Sequence, residues 1–364
     1  MSELGLTTGT PDLRSAGPLL FHPEGVLFAA DVAAAAVYAI DVADTERHDD
    51  VQPVEVDRLD AQVASLLGVE REDVAIRGMA VHPGSHAVYL SVARGRGADA
   101  VPAIVRISSD GEPGLVGLEQ VPFARAALDD APSSDDARLD VWLDDSAEDS
   151  QVMEIAGNTL QIARVALGRS TITDMAWVEG ALLVAGTSNE EFSSRLRRIP
   201  FPFGPAAEGT SLEIYHVDHG QYETASPIRR LIPFDGGRSI LATYTCTPVV
   251  HFPIGDLVPD TLVRGRTVAE LGPMNQPLGL VAYEHDGQEY LLVSGTRHPL
   301  LKIPAASVAG QEPLTEKLEP VGVPREALSP EGVTWMANLG PDQIVIVQHE
   351  GADTHLRTLQ AAAL

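Results

Sequence analysis

One unit recurs along the chain and constrains its fold more than any other feature. It is an apolar run, a turn of Pro, Gly or Asp, a second apolar run ending in small polar residues, and a third, half-polar run. It opens as Pro18-Leu19-Leu20-Phe21-His22-Pro23, Val26-Leu27-Phe28-Ala29-Ala30-Asp31 and Ala36-Val37-Tyr38-Ala39-Ile40. A second copy reads Gly78-Met79-Ala80-Val81-His82-Pro83, then Ala87-Val88-Tyr89-Leu90-Ser91-Val92, then Ala103-Ile104-Val105-Arg106-Ile107. A third starts at Thr173-Asp174-Met175-Ala176-Trp177, and three more begin near Ile228, Leu278 and Glu331.

The runs are short, rich in Val, Ile, Leu and Tyr, and bounded by turn formers, which is strand chemistry. Copies one, two and four to six lie about 50 to 60 residues apart, the spacing of a blade repeat. The expected fold is therefore an all-β, six-bladed β-propeller occupying residues 1–364 as one domain. Seven blades are the alternative if the hairpin Leu212 to Thr224 forms another. The last copy lacks a fourth strand, so residues 3 to 14 are expected to supply it and close the ring, removing exposed edges. Leu59 to Gly68 has helical apolar spacing and a glycine stop, predicting a short helical insertion over 59–68. Asp129 to Ser150 is Asp-rich and nearly free of apolar periodicity, predicting an acidic surface loop over 129–150.

Composition narrows the partners. The net charge of −27, with only Lys302 and Lys317 as lysines, repels phosphate backbones and anionic bilayers, so neither nucleic acid nor membrane is an expected partner. No apolar run approaches the ~20 residues of a membrane span, and the N-terminus has neither a basic region nor an apolar core. A soluble, cytoplasmic protein is the expectation, although a removed export signal would leave no trace. The single cysteine, Cys246, excludes an internal disulfide and any Cys-pair zinc site.

In a propeller, the loops entering each first strand share a face with those joining strands two and three. These loops bring Arg77, Asn189, Glu190, Arg195, Tyr244, Cys246, Gln276 and Arg297 forward as ligand-binding candidates. They also bring Asp174, Asn189, Asn275 and Glu331 forward as oxygen donors for Ca²⁺ or another divalent ion. Cys246, His298 and His349 are a thiolate and two imidazoles of the kind that binds Zn or Cu. The segment from Glu213 to Glu223 is locally richest in ligating types, with His216 and His219 as a further metal pair. Gly-x-Ser-x-Gly, Walker and His-Glu-x-x-His motifs are absent.

The phrases from Ala16 to Asp31 and Met79-Ala80-Val81-His82-Pro83 resemble the bacterial NHL-, YVTN- and SMP-30-like propellers. Ser188 to Phe203 and Tyr244 to Phe252 look like hallmarks of a narrower bacterial propeller family. A likeness to the SMP-30 lactonases implies a divalent metal held by one Glu and several Asn/Asp at the channel mouth. Three readings follow: a propeller binding a small molecule or protein partner, a metal-dependent hydrolase or lactonase, and a soft-metal or redox site at Cys246.

Overall fold

Each apolar run forms a strand, and the second run of a repeat is the most deeply buried. Val26–Asp31, Ala181–Thr187 and Ser239–Thr243 are buried at every position. Both of their faces are covered, so they read as unbroken apolar runs rather than alternating ones. The computed structural model describes residues 4–143, 150–155, 158–204, 207–246, 248–272, 274–317 and 321–364. Among them, no helix is long and apolar enough to cross a membrane.

Six sheets, antiparallel except for one parallel edge pair in the third, are built around the first strands Leu19–Phe21, Val74–Val81, Asp174–Val178, Arg230–Phe234, Pro277–His285 and Val333–Gly340. We call them the first to sixth blades in chain order. Six apolar clusters hold them together, each lying between two blades. They join first to second, second to sixth, sixth to fifth, fifth to fourth, fourth to third, and third back to first. The ring is therefore closed, but its order is not the chain order. After the second blade the chain returns to the first, adding Val121–Ala127 as the first blade's outer strand, and only then builds the third blade on the first blade's other side.

This path corrects the expected closure. Thr7–Gly9 pairs with Val121–Ala127 of the first blade, not with the last blade. The sixth blade keeps three strands. Its outer edge is met instead by the segment before the helix: Val56 and Leu356 exchange backbone hydrogen bonds of 3.0 and 2.9 Å. The helix Leu59–Leu67, ending at a left-handed Gly68, forms where the spacing predicted it. Its Leu59, Val63 and Leu67 fill the wedge between the second and sixth blades. The hairpin containing Leu212 to Thr224 is not a further blade, because Glu208–His216 is the third blade's fourth strand and Gln221–Glu223 pairs on its edge.

The 129–150 stretch is also corrected, as far as it is described. Leu139–Trp142 is a strand of a three-stranded sheet with Gln151–Ile155 and Asn158–Ala166. Asp140 is buried, and Asp130 accepts hydrogen bonds from Arg195 and Arg197. Asp130, Asp136 and Asp140 pair with guanidiniums, while Asp129 and Asp135 are exposed; residues 144–149 lie outside the described residues.

Blades approach closely at Gly78, where an added Cβ would stand 2.4 Å from the Gly17 carbonyl oxygen of the neighbouring blade. Gly78→Ala should therefore cost about 1–3 kcal/mol through overpacking. Urea denaturation that finds the variant as stable as the parent would refute this packing.

Candidate functional site

The first strands of all six blades line a central cavity of about 250 Å³. Its walls are mostly apolar, including Leu19, Phe21, Met79, Leu280 and Trp335, with Asp174, Arg230 and Asn338 as polar members. Asp174 Oδ2 accepts the Leu231 N–H at 2.8 Å. Burial, opposed by the Arg230 charge, raises its carboxyl to about 6. Arg230 lies over the Trp335 ring at 4.6 Å and donates to the carbonyls of Leu278, Thr173 and Arg229, so its fork is held in place.

The small sheet carrying Leu139–Trp142, here called the roof, is fastened to the residues that enter the first strands of the fourth and fifth blades. Arg229, immediately before the fourth blade's first strand, is 2% exposed and bidentate to Asp140, with both bonds at 2.8 Å. The same guanidinium donates to the Val141 carbonyl at 2.7 Å and to Thr245 Oγ1 at 2.8 Å, and faces the Trp142 ring at 4.6 Å. One residue along, the Leu143 N–H reaches Gln276 Oε1 at 2.8 Å, at the start of the fifth blade. A buried bidentate pair with two further donors satisfied makes a well-defined latch. Arg229, Asp140 and Trp142 were not singled out from sequence, since an Asp in an acidic run carries no local sign of its partner 89 residues away.

A second constellation sits on the same face. His216 ends the third blade's fourth strand, and a tight turn through Gly220, at φ 67°, brings the chain back to Glu223. One Glu223 oxygen accepts from His216 Nδ1 at 2.9 Å, and the other accepts from His219 Nδ1. Cys246 arrives from the neighbouring fourth blade in a turn where it adopts φ 60°, a left-handed conformation uncommon outside glycine. Its N–H is fixed by the Asn275 carbonyl at 2.7 Å. The ligand atoms of His216, His219 and Cys246 all lie within 4.8 Å of one another. This is the only such group of three or more His, Cys, Asp or Glu among the described residues.

The charges in this group reinforce one another. Burial pushes the Cys246 thiol up, but the imidazoles of His216 and His219 outweigh it and bring it to about 7. Burial disfavours the His216 cation, yet Cys246 and Glu223 raise it to about 9; beside Cys246 and Glu223, His219 is raised to about 10. Burial opposes ionisation of Glu223, and the two imidazoles overcome it, holding the carboxyl well below its ordinary range. Without a metal, the imidazoles favour the ionised form of the Cys246 thiol, which places a nucleophile beside an oriented acid–base.

Cys246 therefore meets His216 and His219, not the expected His298 and His349. His349 Nδ1 is engaged with Thr354 Oγ1 at 2.9 Å inside its own hairpin, and His298 stands against Gly272. Of the four oxygen donors, only Asp174 lines the cavity. Asn275 Oδ1 accepts from Thr296 Oγ1 and the Arg297 N–H, while Asn189 and Glu331 are exposed on loops. Among the other ligand-binding candidates, Gln276 holds the roof and Tyr244 is fully buried in the core. Arg195 is bonded to Asp130 and Ser211, Glu190 gives its carbonyl to Arg138, and Arg77 adjoins a bulge in its strand.

No protein-family model matches the sequence, and no curated protein matches it. Among solved structures, the chain is similar to the PQQ-bound aldose sugar dehydrogenase of Streptomyces coelicolor at 14% identity, with 97% of this chain and 96% of that chain covered and a TM-score of 0.33. It is similar to the Cps50 (Swd1) β-propeller domain of Myceliophteria thermophila at 14% identity, with 95% and 83% covered and a TM-score of 0.38. It is similar to a streptogramin B lyase at 10% identity, with 98% and 97% covered and a TM-score of 0.34. These are likenesses of fold, and they name nothing narrower than a propeller.

In metal-free protein, alkylation of Cys246 should rise with pH around a midpoint near 7. Glu223→Gln should move that midpoint upward, because the imidazolium partners lose their counter-charge. An unshifted midpoint in the variant would show that Glu223 does not tune the thiol.

Proposed function

We propose that this chain is a ligand-binding propeller that takes a small molecule into its central channel at the roofed face. The observation that carries this reading is a cavity walled by the first strands of all six blades, with a small sheet latched at Arg229, next to the cavity residue Arg230. Pockets for small molecules are typically concave, mostly apolar and supplied with a few convergent polar groups. Here Asp174 and Asn338 would orient a ligand, and Trp335 would give it a flat apolar surface. Within the cavity the Asp174 and Arg230 charges offset one another, so the chain's overall negative charge is what favours a neutral or cationic ligand over an anion.

A divalent-metal hydrolase built on Asp174, Asn189, Asn275 and Glu331 has less support, because only Asp174 lines the cavity and Asn275 Oδ1 already accepts two hydrogen bonds. A protein partner would meet the same loops.

A library of small neutral and cationic compounds should contain binders that raise the melting temperature and quench Trp335. Ala337→Phe, which fills the cavity, should abolish both effects, and Trp335→Phe should remove the quenching alone. Binders that are indifferent to Ala337→Phe would place the ligand elsewhere and end this reading. Asp140→Ala leaves Arg229 buried without its counter-ion and should cost about 3–5 kcal/mol. Thermal or chemical unfolding measures that loss, and an unchanged stability would contradict the latch.

A further inference from the structure

We infer that His216, His219 and Cys246 form a zinc site, with Glu223 as the residue that positions both imidazoles. This inference is independent of the channel reading, since none of these residues lines the cavity.

Two observations carry it. The first is the ligand set: two imidazoles and a thiolate, whose atoms lie within 4.8 Å of one another. Around tetrahedral zinc, with Zn–N of about 2.0–2.1 Å and Zn–S of about 2.3 Å, such atoms stand roughly 3.3–3.6 Å apart. Side-chain adjustment on the order of 1 Å therefore suffices. The second is an unpaired atom. His216 is 2% exposed, its Nδ1 is spent on Glu223, and its Nε2 is buried with no hydrogen-bond partner. A buried polar atom left unpaired is costly, and a metal would satisfy it without rearranging the strand.

Glu223 adds the outer shell. A ligating histidine usually donates its other ring N–H to a carboxylate or carbonyl, which fixes the tautomer and the ring orientation. Glu223 serves both histidines at once, one oxygen to each Nδ1. The ligands come from two elements held rigidly together. His216 and His219 frame a turn on the third blade, and Cys246 sits on the fourth, locked by the Asn275 carbonyl. A thiolate and two neutral imidazoles suit zinc better than a hard cation, which would seek oxygen ligands. Three protein ligands leave a fourth position open. Because the His219 side chain is 44% exposed, that position is reachable by water or an external ligand.

The test uses the full chain, stripped by a chelator and titrated with Zn²⁺ against a chromophoric competitor, and separately with Co²⁺ followed by absorption. One ion per chain is expected, with a thiolate-to-cobalt charge-transfer band and the visible bands of a four-coordinate ion. Cys246→Ser should lose the charge-transfer band, and Glu223→Gln should bind about 10–100-fold more weakly while keeping the band. If His216→Ala fails to fold, His219→Ala, altering a half-exposed ring, provides the same test and should weaken binding likewise. A wild-type titration without the charge-transfer band would overturn the inference. So would Zn²⁺ affinity and stoichiometry unchanged in Cys246→Ser, which would mean ions merely gathered by the acidic surface.

Discussion

Ring closure is the constraint on which the rest of the structure depends. A sheet with two apolar faces must be covered on both sides, and a sheet edge left open invites unwanted pairing. This chain covers every face by packing six sheets in a circle, each pair sharing one apolar cluster. The circle closes where the second and sixth blades meet, which are not neighbours in the chain. The material for that joint is the Val51 to Leu67 segment between the first two blades: an edge bridge at Val56 and a helix whose apolar side completes the second–sixth cluster. An insertion that interrupts the repeat in sequence is thus the piece that completes it in space.

Closure also decides where chemistry can gather. All first strands run in the same sense, so their incoming loops and the loops between strands two and three fall on one face. On that face, two features share a boundary. Thr245 takes a hydrogen bond from the latch residue Arg229, and the next residue is Cys246. Asn275 fixes the Cys246 backbone, and the next residue, Gln276, holds the roof at Leu143. The roof and the thiol loop are therefore built on the same two short segments of the fourth and fifth blades.

What was legible in the sequence is local. Short Val-, Ile- and Leu-rich runs between turn formers reveal strands, and the spacing of Leu59 to Gly68 reveals a helix, because both patterns express neighbouring-residue geometry. Ring order is not local: nothing in Thr7–Gly9 says which of several open edges it will join. The same limit explains the site. His216 and His219 were visible as ligating types at close spacing, and Cys246 as the sole thiol, but their meeting depends on the third and fourth blades lying side by side. Glu223 stood within the same segment, yet its role appears only when the hairpin folds back and aligns it with both rings. In the sequence Asp140 is one charge in an acidic run, because its partner Arg229 belongs to another blade.

The central claim is that this face of the ring carries preformed chemistry rather than a generic polar rim. An anomalous difference map at the zinc edge, from crystals grown with zinc, tests it most directly. One strong peak within bonding distance of His216, His219 and Cys246, with Glu223 behind both rings, is the expected result. A map with zinc only at scattered surface carboxylates, and His216 unliganded in its pocket, would contradict the account.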